Sequence, residues 1–215
     1  MSPGALARRL LGDRGFHVVG RAYRALFVDL DVVVETVGAE IPHAAHVLDV
    51  GGGDGEPLDR LLSLRPDVRV TTIDVTHDVG RWIAPEHSER VVRCPGTTLS
   101  GYLASKCALP DVLMIADVVH HVPPVHRSEF LAGVAELFQR RPDLRLIVKD
   151  VEPGHWRATL GYLSDRYVTG DRAVAPIGRA ALVDLVVGAC GPLQWHETAL
   201  FQRDPPNYAL VFRRC

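Results

Sequence analysis

The chain predicts an α/β fold in which a doubly wound, mostly parallel sheet of seven strands is covered on both faces by helices. Three observations carry that expectation. Short β-rich apolar runs recur along the chain at 46–50, 68–75, 111–118 and 144–150, separated by segments with apolar residues at helical spacing. The first run leads directly into Gly51-Gly52-Gly53-Asp54-Gly55, a strand-to-helix loop almost without side chains. At the far end, two runs joined by Arg203-Asp204-Pro205-Pro206 read as a pair of antiparallel strands, placing an antiparallel strand at the C-terminal edge of the sheet.

The elements follow in order. Ala22 to Val37 places Leu26, Leu30, Val33, Val34 and Val37 on one helical face, and Pro42 lies beyond its end. That helix packs beside the sheet or on a partner, so a homodimer is one of its readings. Residues 1–40 are expected to be an N-terminal helical segment that could act as a lid, within a single domain spanning 1–215. Glu56 to Leu64 is a helix with Leu58, Leu61, Leu62 and Leu64, stopped by Pro66. Arg127 to Arg140 repeats the pattern with Phe130, Leu131, Val134, Leu137 and Phe138. Trp156 to Tyr167 and Arg179 to Cys190 read as two further helices, separated by Thr169-Gly170-Asp171, and Gly191-Pro192 stops the second. Leu193 to Phe201 and Asn207 to Arg213 read as the closing strands.

Composition excludes several classes of function. Of the 215 residues, 47% are hydrophobic and 23% charged, as in a folded globular protein. A formal net charge of -2 argues against a surface that holds nucleic acid through its phosphates. No apolar run approaches the length of about 18 residues that a membrane span needs, and Met1 to Arg9 lacks a signal-peptide core. A cytoplasmic protein without membrane or nucleic-acid partners is the expectation. Cys94, Cys107, Cys190 and Cys215 show neither zinc-ligand nor disulfide spacing.

The glycine loop and its acids narrow the ligand. Gly51, Gly52, Gly53 and Gly55 let a ligand approach the backbone, while Asp49 and Asp54 would repel a pyrophosphate. A neutral or cationic guest follows. Asp74, at the end of the second strand, stands about 20 residues beyond the loop, where an acid reaches the two hydroxyls of a ribose. The loop reads G-x-G-x-G and lacks the third glycine of the dinucleotide fingerprint, which disfavours NAD.

This combination of strand, G-x-G-x-G loop and acid on the next strand resembles the class I S-adenosylmethionine-dependent methyltransferases, a Rossmann-like family. Two further segments carry the resemblance. Asp111 to Pro123 contains a strand with Asp117 at its end and then Val118-Val119-His120-His121, similar to the family's segment beside the reacting methyl. Leu144 to Asp150 ends in Val148-Lys149-Asp150, like a subgroup of small bacterial methyltransferases. The likeness extends from about Gly20 to Cys215 and departs at Arg93-Cys94-Pro95-Gly96-Thr97-Thr98, where no acid stands to meet an adenine amino group.

The resemblance implies S-adenosylmethionine as cofactor and a small-molecule acceptor methylated at oxygen or nitrogen, as in the biosynthesis of natural products. It implies cofactor contacts from Asp49, Gly51, Gly52, Gly53, Asp54, Gly55, Asp74, Val75, Asp117 and Val118. Arg24, with Tyr23 beside it, could close over the cofactor and pair with its carboxylate. His120 and His121 are the histidines a base would come from, although the family's His-His turn commonly turns one ring inward; His121 and His155 are taken as the candidate bases. Lys149 and Asp150 could orient an acceptor or fix the loop as an ion pair. No H-x-x-x-H or paired-carboxylate motif indicates a metal. Two other readings remain: a sulfonium used electrostatically without methyl transfer, and a non-catalytic partner subunit that keeps the fold.

Overall fold

The computed structural model describes residue 12 and residues 28–105, 108–164 and 174–214. Its first helix, α1 (Leu30–Gly38), begins where the Asp29 carboxylate accepts from the backbone N–H groups of Asp31 and Val32. The guanidinium of Arg65 collects the carbonyls at and just past its end, donating to Gly38, Ile41 and Pro42. The expected helix from Ala22 is therefore seen from Leu30 onward, since residues 22–27 lie outside the described residues.

Seven strands follow: β1 (His46–Val50), β2 (Arg69–Asp74), β3 (Val91–Pro95), β4 (Val112–Ala116), β5 (Arg145–Val151), β6 (Leu193–Glu197) and β7 (Asn207–Arg214). They form one sheet in the order β3-β2-β1-β4-β5-β7-β6. The first five are parallel; β7 runs antiparallel to both β5 and β6, with β6 outermost. The C-terminal strand is thus the antiparallel one and inserts beside β5.

Alternation along each strand builds a core on each face. Leu48, Val50, Leu146 and Val148 pack with Leu131, Val134 and Phe138 of α4 (Arg127–Arg140) and Leu182 and Val186 of α6 (Arg179–Cys190). Val47, Val70 and Ile147 face the other way, against Val33, Val34 and Val37 of α1 and Leu58, Leu61 and Leu62 of α2 (Glu56–Leu64). Helices α2, α4 and α6 keep the bounds their apolar periodicity gives. Two short helices, α3 (Leu99–Ala104) and the 3-10 turn Pro85–Arg90, are too brief to show a period in the sequence.

The expected strand from Leu193 to Phe201 is corrected. It ends at Glu197, and Leu200–Arg203 forms a short helix, α7. Thr198 makes a last bond to Ala209 O, its hydroxyl then accepts from the N–H of Leu200, and the turn drops Leu200 into the α1/α2 core. Helix α5 is described over Trp156–Ser164; the remainder of the expected helix to Tyr167 lies outside the described residues. Among the described residues no helix is long and apolar enough to cross a membrane.

Candidate functional site

In the strand order the chain reverses direction of growth between β1 and β4, and a crevice opens beyond the carboxyl ends of strands at such a point. A cavity of about 590 Å3 lies there. That volume is within the range of small-molecule sites. Its floor is the glycine loop with Asp49, and Met114, Ala116 and Asp117 of the β4 end. One wall comes from Val28, Leu30 and Val33 of the α1 region, the opposite one from Ala158, Gly161 and Tyr162 of α5. His120, His121 and Lys149 supply its polar end.

The loop is shaped by what cannot be there. A Cβ on Gly52 would stand 1.9 Å from the Thr72 hydroxyl and 2.5 Å from Asp49 Oδ2, so any side chain would break the bond between those two groups. That bond is 2.8 Å long, with the threonine hydroxyl donating to the carboxylate. Asp49 is buried, and burial together with the neighbouring charge of Asp74 outweighs the Thr72 bond and pushes its carboxyl up to about 6. No ion pair of Asp49 with a cation occurs among the described residues. A buried carboxylate in that condition favours a positively charged guest.

Asp74 braces the same loop from β2. Its Oδ2 accepts from Gly53 N at 2.9 Å and its Oδ1 from Thr76 N at 2.8 Å. Each oxygen keeps a second lone pair for a hydroxyl donor. Asp74, Val75 and Val118 stand outside the cavity wall; Val75 is 70% exposed on the flank of the loop, and Val118 packs where a Gly51 side chain would go. Asp54 lines the cavity, and one of its oxygens accepts from Glu56 N. Near the departure from the family pattern, the Thr98 hydroxyl accepts from Gly101 N at the start of α3.

At the other end of the cavity two strand ends bring four polar groups together. β4 and β5 pair with Ala116 opposite Lys149. Asp117, one residue on, has a left-handed backbone with φ 56°, and its N–H donates to Lys149 O at 2.9 Å. Its carboxylate receives the Lys149 ammonium on both oxygens, each at 2.7 Å. Almost half of the Asp117 side-chain surface, 48%, is open, whereas Lys149 is 3% exposed. Enclosure by the protein opposes the Asp117 charge, but Lys149, His120 and His121 outweigh it and hold the carboxyl below its ordinary range.

The 3-10 turn Val119–His121 sends His120 inward and leaves His121 on the cavity wall. His120 Nδ1 meets Asp150 Oδ1 at 2.7 Å, and the same oxygen accepts from Val151 N. Asp150 is fully buried and its Oδ2 has no hydrogen-bond partner among the described residues. Nδ1 is thereby committed to Asp150, which fixes the orientation of the ring. The ring also contacts His121, at 4.2 Å between centroids, and the edge of Tyr162 at 5.8 Å.

Asp204 ties the walls together. This buried carboxylate accepts from Asp29 N and Asn207 Nδ2 through Oδ2 and from Arg157 through Oδ1. The start of α1, helix α5 and the entry to β7 thereby share one residue that sequence reading treated only as part of a turn. The candidate base His155 stands at the start of α5, stacked on Trp156 and outside the cavity wall. Arg24 and Tyr23 lie outside the described residues. Asp117, His120 and Asp150 place potential metal ligands within 4.8 Å of one another, but the Lys149 ammonium on both Asp117 oxygens occupies the position a cation would take. The donor set therefore does not fit a divalent ion.

No family model and no curated protein matches the chain. Solved structures do. An O-methyltransferase family protein from Burkholderia thailandensis is similar at 21% identity, over 86% of this chain and 55% of that one, with a TM-score of 0.63. Human N-acetylserotonin methyltransferase, solved in complex with SAM, is similar at 16% identity over 84% and 51%, TM-score 0.61. The 1,6-didemethyltoxoflavin-N1-methyltransferase of Burkholderia thailandensis, solved with 1,6-didemethyltoxoflavin and S-adenosylhomocysteine, matches over 100% of this chain and 91% of its own at 18% identity, TM-score 0.65. The chain spans little more than half the length of the first two. The sheet order, the glycine loop at the switch point and these likenesses give one conclusion: the chain has the fold of the class I S-adenosylmethionine-dependent methyltransferases.

Proposed function

We propose that the protein is a metal-independent methyltransferase that uses S-adenosylmethionine and methylates an oxygen or nitrogen of a small molecule. The observation that carries this reading is that a single cavity is lined both by the glycine loop with the buried Asp49 and by His120, which Asp150 backs from within the protein. The bare loop backbone admits close approach, Asp49 matches an ammonium, and Asp74 has lone pairs left for ribose hydroxyls. S-adenosylmethionine supplies, when bound, an electrophilic methyl group on a positively charged sulfur.

The chain's own work is to align and to accept a proton. In-line displacement depends on placing two reactants within reach, which two facing walls of fixed position accomplish. Asp204 holds those walls at a fixed spacing. An acceptor hydroxyl or ring N–H at the polar end loses its proton to His120, and Asp150 holds the imidazole in the tautomer that can receive it and stabilises the charge that results. Solved neighbours with small-molecule methyltransferase activity in their names support the reading. Incubating the protein with S-adenosylmethionine and a panel of phenols and ring N–H compounds tests it by mass spectrometry. The expected result is a product heavier by one methyl group together with S-adenosylhomocysteine; cofactor consumption with no methylated product would favour electrostatic use of the sulfonium.

A further inference from the structure

We propose that the Lys149–Asp117 pair recognises the acceptor, and that it selects a neutral ring in which an N–H stands next to a carbonyl, the edge of a cyclic amide. The inference rests on the methyl-transfer reading and names the substrate class of that same site. The charged groups that reach the cavity beyond the glycine loop are compensated in pairs among the described residues. Lys149 is neutralised by Asp117, and Arg157 by Asp204 at 3.0 Å. A carboxylate or phosphate on the acceptor would have to displace Asp117 from a nearly buried ammonium, which exchanges one ion pair for another and leaves Asp117 without its partner.

What the pair does present is a donor beside an acceptor. An ammonium has three N–H groups, and Asp117 takes two; a carboxylate has about four lone-pair sites, and Lys149 fills two. Both side chains line the cavity. Their relative position is fixed by the two 2.7 Å bonds, by the N–H of Asp117 on the Lys149 carbonyl, and by a left-handed backbone held at the strand end. A rigid donor and acceptor side by side complement an acceptor and donor side by side. The carbonyl of a cyclic amide meets Lys149 while its N–H meets Asp117. Asp117 also stands beside the His120–Asp150 pair, the three residues each offering an atom within 4.8 Å of the others.

Calorimetric titration of the intact protein, with and without S-adenosylhomocysteine, tests this with three flat probes: lumazine, 1,3-dimethyllumazine and 1-hydroxy-2-naphthoate. Lumazine carries N–H next to C=O; the dimethyl compound keeps the ring and carbonyls but no such N–H. The expected result is binding of lumazine at least tenfold tighter than of either other probe, with the preference over dimethyllumazine lost in Asp117→Ala and both lumazines weakened in Lys149→Met. Equal affinity for the two lumazines, no lumazine binding, or preference for the naphthoate overturns the proposal, and none of these comparisons needs a variant. Titration with S-adenosylhomocysteine alone decides the methyl-transfer reading separately, since its failure to bind would remove that reading whatever the lumazines do.

Discussion

His120 and Asp150 are separated by 30 positions in the chain and by 2.7 Å in space, where the imidazole Nδ1 meets a carboxylate with no exposure to solvent. A buried carboxylate on one ring nitrogen orients an imidazole and stabilises its charged form. His155, the other candidate at the start of α5, lies outside the cavity wall.

The first expectation follows from this difference. His120→Asn is expected to lower kcat for an acceptor with a weakly acidic hydroxyl or N–H by roughly 10²–10⁴-fold, the usual worth of a general base. Asp150→Asn is expected to lower kcat as well, while His155→Asn, outside the cavity wall, leaves kcat within a few fold. Steady-state kinetics of the three variants decides it: a large loss in His155→Asn with none in His120→Asn would reverse the assignment.

Asp49 sets a pH dependence whose sign can be worked out. Its folded-state value of about 6 lies above the unfolded value of 3.8, so the folded protein binds the proton more tightly. Stability associated with this group is therefore present at low pH and is lost as pH rises from about 4 through 6, by roughly 3 kcal/mol. Asp49→Asn is expected to be more stable than the parent at pH 7.5 and no more stable at pH 4, measured by urea unfolding. A cationic guest reverses the balance, because it binds the ionised form. Affinity for S-adenosylhomocysteine is expected to fall by up to about tenfold per pH unit below 6, and to lose that dependence in Asp49→Asn.

Neighbouring glycines of the loop are expected to respond differently. Gly52→Ala drives a Cβ into the Thr72 hydroxyl and Asp49, and overpacking of this kind costs about 1–3 kcal/mol. At Gly53, φ is +52° but the nearest atom to an added Cβ is 3.9 Å away. Gly53→Ala then carries only the left-handed backbone cost, about 1 kcal/mol, while its methyl group intrudes on the space for a guest. Unfolding and binding measured together separate the two: Gly52→Ala loses both, and Gly53→Ala loses mainly binding.

Asp204→Ala leaves Arg157, Asp29 N and Asn207 without their shared partner and is expected to cost roughly 3 kcal/mol. Differential hydrogen exchange should then rise at both cavity walls, in 28–33 and 156–164. Protection unchanged in either segment would show that the walls are held by other contacts.

Much of this was legible in the sequence because it is local. The periodicity of Arg127–Arg140 and Arg179–Cys190 fixed those helices, and the glycine run after an apolar strand located the cavity floor. What was not legible depends on register between distant strands. Two consecutive histidines look alike until the 3-10 turn and the neighbouring β5 decide which ring meets Asp150. Lys149 and Asp150 are adjacent, yet one pairs with Asp117 and the other with His120, since successive strand residues point in opposite directions. Asp204 read as a turn residue because its three partners lie up to 175 positions away.

The central claim, that the glycine loop and Asp49 hold the adenosyl amino acid of a methyl donor, is tested most directly by calorimetric titration with S-adenosylhomocysteine at pH 7.5, with NAD as control. The account predicts a single site of micromolar affinity that is weakened in Gly53→Ala and no heat from NAD. Binding of NAD alone, or S-adenosylhomocysteine affinity unchanged by that substitution, would contradict it.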